Sequence, residues 1–259
     1  MKQLKSYLGG TWQDSDGEAI VLSNPTTEAP VFELRRATGL DAALRYTRDV
    51  GGPALRAMSF AERGAMLKRL AKLLWAKRNA LIEVAIENGG NTRGDAKFDI
   101  DGATAVLASY GSLASTLGDG PWIPQGEAVE LTRGSKIRAQ HVMLPRQGAA
   151  IHINAFNFPA WGMVGKMAVA WLAGMPVLSK PGTSTAALAA VIGEILVDEG
   201  KLPPGIFSLL LGPAGDLLDH VETQDVIAFT GSAQTGAKIR SHAQVSARGV
   251  RVNVEADSL

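Results

Sequence analysis

The chain has 259 residues, enough for one large domain or two small ones around a sizeable core. Its 26 Lys and Arg against 25 Asp and Glu leave a formal charge of +1, so no field draws it to nucleic acid or anionic lipid, and neither is expected as a partner. Cysteine is absent, which removes disulfides, thiolate metal sites and any thiol nucleophile from these residues; no metal site is expected.

No run of about 18 apolar residues occurs, and "MKQLKSYLGGTW" lacks the apolar stretch of a secretory signal, so a cytoplasmic location is the expectation. Residues 1–119 read as mostly helical. The segment "SFAERGAMLKRLAKLLWAKRNALIEVAIENGG" repeats Leu, Ala and Trp at three-to-four spacing, with Ser59 as N-cap and Gly89-Gly90 as a stop; this predicts an amphipathic helical pair. "DIDGATAVLASYGSLAST" reads as a further helix rich in small residues. Residues 120–147 change character, with Pro, Gly and short alternating runs such as "AVELT" and "KIRAQHVML", the pattern of a projecting hairpin. Its edges need covering, and a partner subunit is one way to do so.

From Gly148 the pattern turns regular. "AAIHI", "MPVLSK", "IFSLLL", "DVIAF" and "GVRVNVEA" read as strands; "PAWGMVGKMAVAWLAG", "TSTAALAAVIGEILVDEG", "AGDLLDHVE" and "SAQTGAKIRSHAQ" read as the helices between them. Apolar strands joined by helical crossovers predict an α/β fold, a doubly wound parallel sheet with helices on both faces. Such sheets bind ligands at the carboxyl ends of their strands.

The residues at those ends carry the candidate chemistry. After "AAIHI", Asn154 and Asn157 stand in a loop that Pro159 closes into a helix; either amide could donate to an oxyanion or bond its own turn. Lys180 ends the next strand before "PGTS", a place for a ribose or phosphate or for an ordinary solvated turn. Gly212 opens "GPAG", which lets backbone approach a flat ring closely or makes a plain turn. In "AFTGSAQTGAK", Ala237 stands before Lys238 and Ile239 after it, so a triphosphate loop is excluded; what remains is a turn at Gly231 and a helix start capped by Ser232, suited to one pyrophosphate. Glu255 ends the last strand, where a carboxylate can act as a general base or simply face water.

Taken in order, "YLGGTW", "NAFNFP", "KPGTSTA", "FTGSAQTG" and "VEADSL" resemble the aldehyde dehydrogenase superfamily over essentially the whole chain. "IHINAFNFPAWGM", "AGDLLDHVETQDV" and "EADSL" are similar to a branch of semialdehyde dehydrogenases acting on CoA-thioester products of aromatic ring cleavage. The resemblance implies that Asn157 is the amide donor to the hemithioacetal oxyanion, Lys166 belongs to the proton-relay region, and Glu255 activates the deacylating water. It implies that Phe156, Lys180, Gly212, Gly231 and Ser232 lie about the cofactor. Thr183 stands where NAD-preferring members carry a glutamate; without that charge a 2′-phosphate is tolerated, so NADP is expected as the preferred cofactor, with NAD also usable.

The same resemblance divides the chain into a helical part of the cofactor-binding domain (1–119), an oligomerisation hairpin (120–147), the dinucleotide-binding domain (148–254) and the start of a catalytic domain (255–259). A homodimer or larger homo-oligomer acting on an aldehyde, CoA-linked in that branch, is implied. The family nucleophile is a cysteine some thirty or more residues beyond the general base, so the chain is expected to be a fragment. Two other readings stand beside oxidation to the acid: a catalytically inactive dinucleotide-binding module or scaffold, and an acylating aldehyde dehydrogenase, against which Glu255 weighs.

Overall fold

The computed structural model describes residues 1–134 and 136–257; Ser135 of the expected hairpin, and Ser258 and Leu259 of the "VEADSL" motif, lie outside them. Five short strands come first: β1 (Lys2–Leu4), β2 (Tyr7–Leu8), β3 (Thr11–Trp12), β4 (Ala19–Ser23) and β5 (Pro30–Arg35). Residues 1–119 are mostly helical as expected, but the stretch up to Arg35 forms strands instead. β5 sends Phe32 and Leu34 into the core with the two-residue period of a strand, whereas β1 to β3 are too short for periodicity to register.

Helices come next: α1 (Leu40–Tyr46), one π-turn, α2 (Gly52–Arg56), α3 (Phe60–Ala76), α4 (Arg78–Gly89) and α5 (Arg93–Ala114). The Ser59 cap is a full capping box, with Ser59 Oγ accepting from the Glu62 N–H at 3.2 Å and the Glu62 carboxylate accepting from the Ser59 N–H at 2.7 Å. Gly90 ends α4 at φ +67°, a conformation that favours glycine. The hairpin appears as β6 (Ile123–Glu130) and β7 (Arg138–Met143), paired with each other alone and exposed along nearly their whole length.

The alternating part comprises β8 (Ala150–Ile153), α6 (Pro159–Leu172), β9 (Val177–Lys180), α7 (Ala186–Asp198), β10 (Phe207–Leu209), β11 (Val226–Gly231), α8 (Ala233–Arg240), α9 (Ala243–Ala247) and β12 (Arg251–Ala256). Two expected helices differ. "AGDLLDHVE" makes only a 3-10 turn at Leu217–His220, since that turn already buries Leu217 and leads Val221 inward. "SAQTGAKIRSHAQ" splits into α8 and α9 because the buried Ile239 and Val245 would face well apart on one continuous helix; the break returns both to the core.

The main sheet runs β12-β11-β8-β9-β10-β2-β3, and the first five strands are parallel. β2 joins antiparallel, so the expected parallel sheet has an antiparallel edge. From β8 the chain steps outward through β9 and β10, then crosses back to place β11 and β12 on the other side. Strand order therefore reverses between β8 and β11, which opens a crevice at their carboxyl ends. One face of the sheet packs against α6 and α7, backed by α3 to α5; the other packs Ile151, Leu178, Ile227 and Phe229 against α1, α8 and α9.

At the opposite end of the sheet, Asp225 ties three segments together. Its fully buried carboxylate accepts from Arg48 Nε at 3.0 Å, Arg48 Nη2 at 2.6 Å, and the backbone N–H groups of Ala149 and Glu222, both at 2.8 Å. Asp225→Ala strands the Arg48 guanidinium and two backbone donors, and is expected to lower stability by about 3–5 kcal/mol in urea unfolding. A loss under about 1 kcal/mol would show that solvent replaces these contacts.

Candidate active site

The site stands at the carboxyl ends of β8, β11 and β12. The sequence offers Asn154 and Asn157 for one role, and the structure separates them. Asn154 is buried: its N–H donates to the Lys180 carbonyl at 2.9 Å and its side-chain amide donates to Ser179 Oγ at 3.2 Å. Asn157 is exposed, and its amide makes no hydrogen bond among the described residues. Between them Phe156 is 64% exposed, yet its backbone is held by Thr185, whose hydroxyl donates to the Phe156 carbonyl at 2.7 Å. Gly182 packs so closely that a Cβ would stand 2.9 Å from Phe156 Cα.

A carboxylate that sequence reading missed ends this loop. Phe158, the residue before α6, provides no side-chain cap; Asp99, reaching over from α5, accepts from the N–H groups of Ala160 at 3.0 Å and Trp161 at 2.7 Å. Burial pushes the Asp99 carboxyl above its ordinary value, and the two backbone donors act against that shift. The Phe98 ring lies beside the rings of Phe158 and Trp161, with centroids 6.1 and 5.4 Å away. The sequence did contain a signal: an acidic residue among the buried positions Ala96, Ile100 and Ala103 of α5.

Lys166 stands further along α6. Its ammonium donates to Asn154 Oδ1 at 3.0 Å and to the Thr230 hydroxyl, and lies 4.0 Å from the Glu255 carboxylate. Thr230 in turn donates to Glu255 Oε2 at 2.7 Å; the two residues are register partners across β11 and β12. Burial pulls the Lys166 pKa below the ordinary lysine value, with Glu255 opposing. Behind it on β8, His152 is buried with Nδ1 unpaired; burial, then the neighbouring Lys166, takes its pKa down to about 3, so the imidazole is neutral. Thr230 went unassigned in the sequence because only the β11–β12 register reveals its neighbour.

Three clefts reach Glu255, and two of them meet on Asn157. The larger, about 920 Å³, is lined by Phe156, Thr183, Ser184, Gly231 and Ser232. The smaller, about 530 Å³, lies between α5 and α6 and is lined by Tyr110, Phe158, Trp161, Gly162 and Gly165, with Lys166 at its inner end. Both share Asn157, Thr230 and Glu255. Lys180 stands beside the larger cleft rather than on its wall: its ammonium donates to the Pro181 carbonyl at 2.9 Å and to Thr183 Oγ1 at 3.4 Å, and burial lowers its pKa. Gly212, at φ +85°, lies just after β10, two strands from β8 and off the lining; a Cβ there would meet Leu34 at 3.1 Å. At α8, Ser232 Oγ accepts from the Thr235 N–H at 3.2 Å, and the Asp257 carboxylate accepts from the Ala233 N–H at 3.1 and 3.2 Å. Lys238 lies exposed in the last turn of α8.

The profile described as "Aldehyde dehydrogenase family" matches residues 12–258. The chain belongs to that family. It is 44% identical over 259 residues to 3,4-dehydroadipyl-CoA semialdehyde dehydrogenase of Aromatoleum evansii, covering 99% of this chain and 50% of that protein. It is 28% identical to D-glyceraldehyde dehydrogenase (NADP(+)) of Picrophilus torridus, covering 93% of this chain and 48% of that one. Among solved structures, betaine aldehyde dehydrogenase of Staphylococcus aureus in complex with NAD+ superposes with a TM-score of 0.85 at 21% identity, over 98% of this chain and 49% of that one, which bears on the fold. The chain thus spans about half the length of the relatives it matches. Among the described residues no helix is long and apolar enough to cross a membrane, and no group of three or more His, Asp or Glu could hold a metal ion.

His152 makes the site sensitive to acid. The folded imidazole takes up a proton only near pH 3, whereas the unfolded one titrates near 6.5, so between these values the unfolded state binds the extra proton. Stability is expected to fall as pH drops from 6.5 towards 3, and His152→Leu to flatten that slope. Urea midpoints across this range measure it, and equal slopes in both proteins would remove His152 from the account.

Proposed function

We propose that the chain supplies the dinucleotide site and the general base for NAD(P)-dependent oxidation of an aldehyde to its carboxylic acid. The observation that carries this reading is the meeting of two clefts on Asn157, Thr230 and Glu255. A dinucleotide on one side and an aldehyde on the other then converge at one amide donor and one carboxylate.

The larger cleft suits the cofactor chemically. Thr183, Ser184 and Ser232 offer hydroxyls, Gly231 offers bare backbone, and the Asp257 carboxylate already stands as an anion against the first turn of α8, where a pyrophosphate is stabilised by the same N–H groups. Phe156, Lys180 and Gly212 complete the cofactor surroundings in this reading. When bound, a nicotinamide dinucleotide supplies the hydride acceptor. NADP is the preferred form, because Thr183 brings no charge against a 2′-phosphate and the Lys180 ammonium lies 3.4 Å from its hydroxyl. The NADP(+) in the name of the Picrophilus torridus relative supports this.

Asn157 donates to the oxyanion formed at the aldehyde carbon, a hydrogen bond of a kind worth about 2.7–4 kcal/mol in the transition state. Glu255 takes a proton from the water that adds to the acyl carbon, while Thr230 fixes one carboxylate oxygen and Lys166 places positive charge beside it. The family's thiol nucleophile is not among these 259 residues, so the reaction draws on residues outside them. The aldehyde is a CoA-linked semialdehyde, a reading supported by the name of the 44% identical Aromatoleum evansii relative.

The same reading makes the protein a cytoplasmic homodimer or larger homo-oligomer. Residues 1–119 and 148–254 form its cofactor-binding part, residues 120–147 are the oligomerisation arm, and residues 255–259 lead into the catalytic domain. Support for the arm comes from the exposed Val129, Leu131, Ile137 and Leu144.

In the thiol-bearing enzyme, Glu255→Gln is expected to leave an initial burst of reduced cofactor and slow the steady state by about 10²–10⁴-fold, read in stopped flow; an unaltered steady state sinks the general-base role. Thr183→Glu is expected to move the ratio of kcat/KM for NADP over NAD downward by about tenfold or more. A wild-type enzyme that already favours NAD refutes the NADP preference.

A further inference from the structure

Helix α6 carries two interior glycines three residues apart, Gly162 and Gly165, both on the wall of the smaller cleft. Glycine inside a helix weakens it relative to alanine, so its presence needs a reason. At other interior positions packing provides one. A Cβ on Gly102 would stand 2.1 Å from the Trp161 ring, on Gly64 2.4 Å from Ala114, on Gly193 2.8 Å from Leu209, and on Gly236 2.7 Å from Val254. Gly162 and Gly165 are different. A Cβ on Gly162 meets nothing within 4 Å, and one on Gly165 makes only ordinary contacts, 3.5 Å to Trp161 and 3.8 Å to Val106. Neither glycine has positive φ. Both share their helix stripe with Phe158, Trp161, Lys166 and Val169, the residues that line the cleft. What the two glycines preserve is empty width between α5 and α6, on the path that leads to Asn157 and Glu255.

We propose that Gly162 and Gly165 are specificity-determining residues that hold this groove open for an aldehyde with a wide, thioester-linked chain, to the exclusion of no slim aldehyde. This rests on the reading that the smaller cleft admits the aldehyde. The width is set by two missing side chains, so restoring them narrows the groove without touching Asn157, Lys166 or Glu255.

Three measurements test it. In thermal melts of the 259-residue chain, Gly162→Ala and Gly165→Ala are each expected to raise Tm by about 2–4 °C, because the helix gains and nothing clashes; a fall would show that packing requires the glycines and overturns the inference. In the thiol-bearing enzyme, Gly162→Leu is expected to lower the kcat/KM ratio of a CoA-thioester semialdehyde to propanal by at least about tenfold; an unchanged ratio overturns it. If the wild type oxidises neither aldehyde, the reading of the function fails by itself. The groove is then judged on the chain alone, by the shift of the Trp161 indole N–H resonance, assigned with Trp161→Phe, on titration with pantetheine. A shift in the wild type that is lost in Gly162→Leu supports the inference, and no shift, or an equal one, overturns it.

Discussion

The parallel pairing of β8 with β11 is the constraint on which the rest depends. These strands are separated by 72 residues or more in the chain, yet Val226 to Phe229 run in register with Ala150 to Ile153. That single adjacency reverses the strand order and brings the Asn154–Phe158 loop beside the Gly231 turn. It also sets Thr230 between Lys166 on one side and Glu255 on the other. Any slip of β11 by one residue would exchange its two faces, sending Ile227 and Phe229 out of one core and Thr230 away from the lysine.

The chemistry of the site arises from uneven burial. Lys166 and His152 sit deep on the α6 face of the sheet, while Glu255, whose side chain is 60% exposed, stands at its rim. A cation inside and a carboxylate outside, bridged by one hydroxyl, makes a polarised line rather than a simple surface ion pair. Its inner end is costly to charge and its outer end stays open to water. The neutral imidazole behind Lys166 adds no second positive charge to that cost.

Much of this was legible in the sequence, for definite reasons. Long apolar elements with period and punctuation, such as the Ser59-capped helix and "TSTAALAAVIGEILVDEG", declare themselves because local rules and tertiary burial agree there. The strand-end rule by itself brings Asn157, Gly231, Ser232 and Glu255 near one another, and all four line the larger cleft. What stayed hidden was either too short or too remote. The two- and three-residue strands of the first 35 positions carry no period, and the place of Gly212 depends on the sheet order, which the sequence does not state. Thr230 and Asp99 matter through partners 25 and more than 60 residues away.

Asp99 has a wider consequence. Helix α6 owes its beginning to a carboxylate on α5, and Gly102 on the same helix lets the Trp161 ring settle against it. The attitude of the loop bearing Asn157 is thus inherited from a helix that belongs to the supporting layer. Sequence drift on the hidden side of α5 is free only where it leaves that attitude unchanged. The residues that set how the Asn157 amide is presented therefore include one, Asp99, that lines neither cleft.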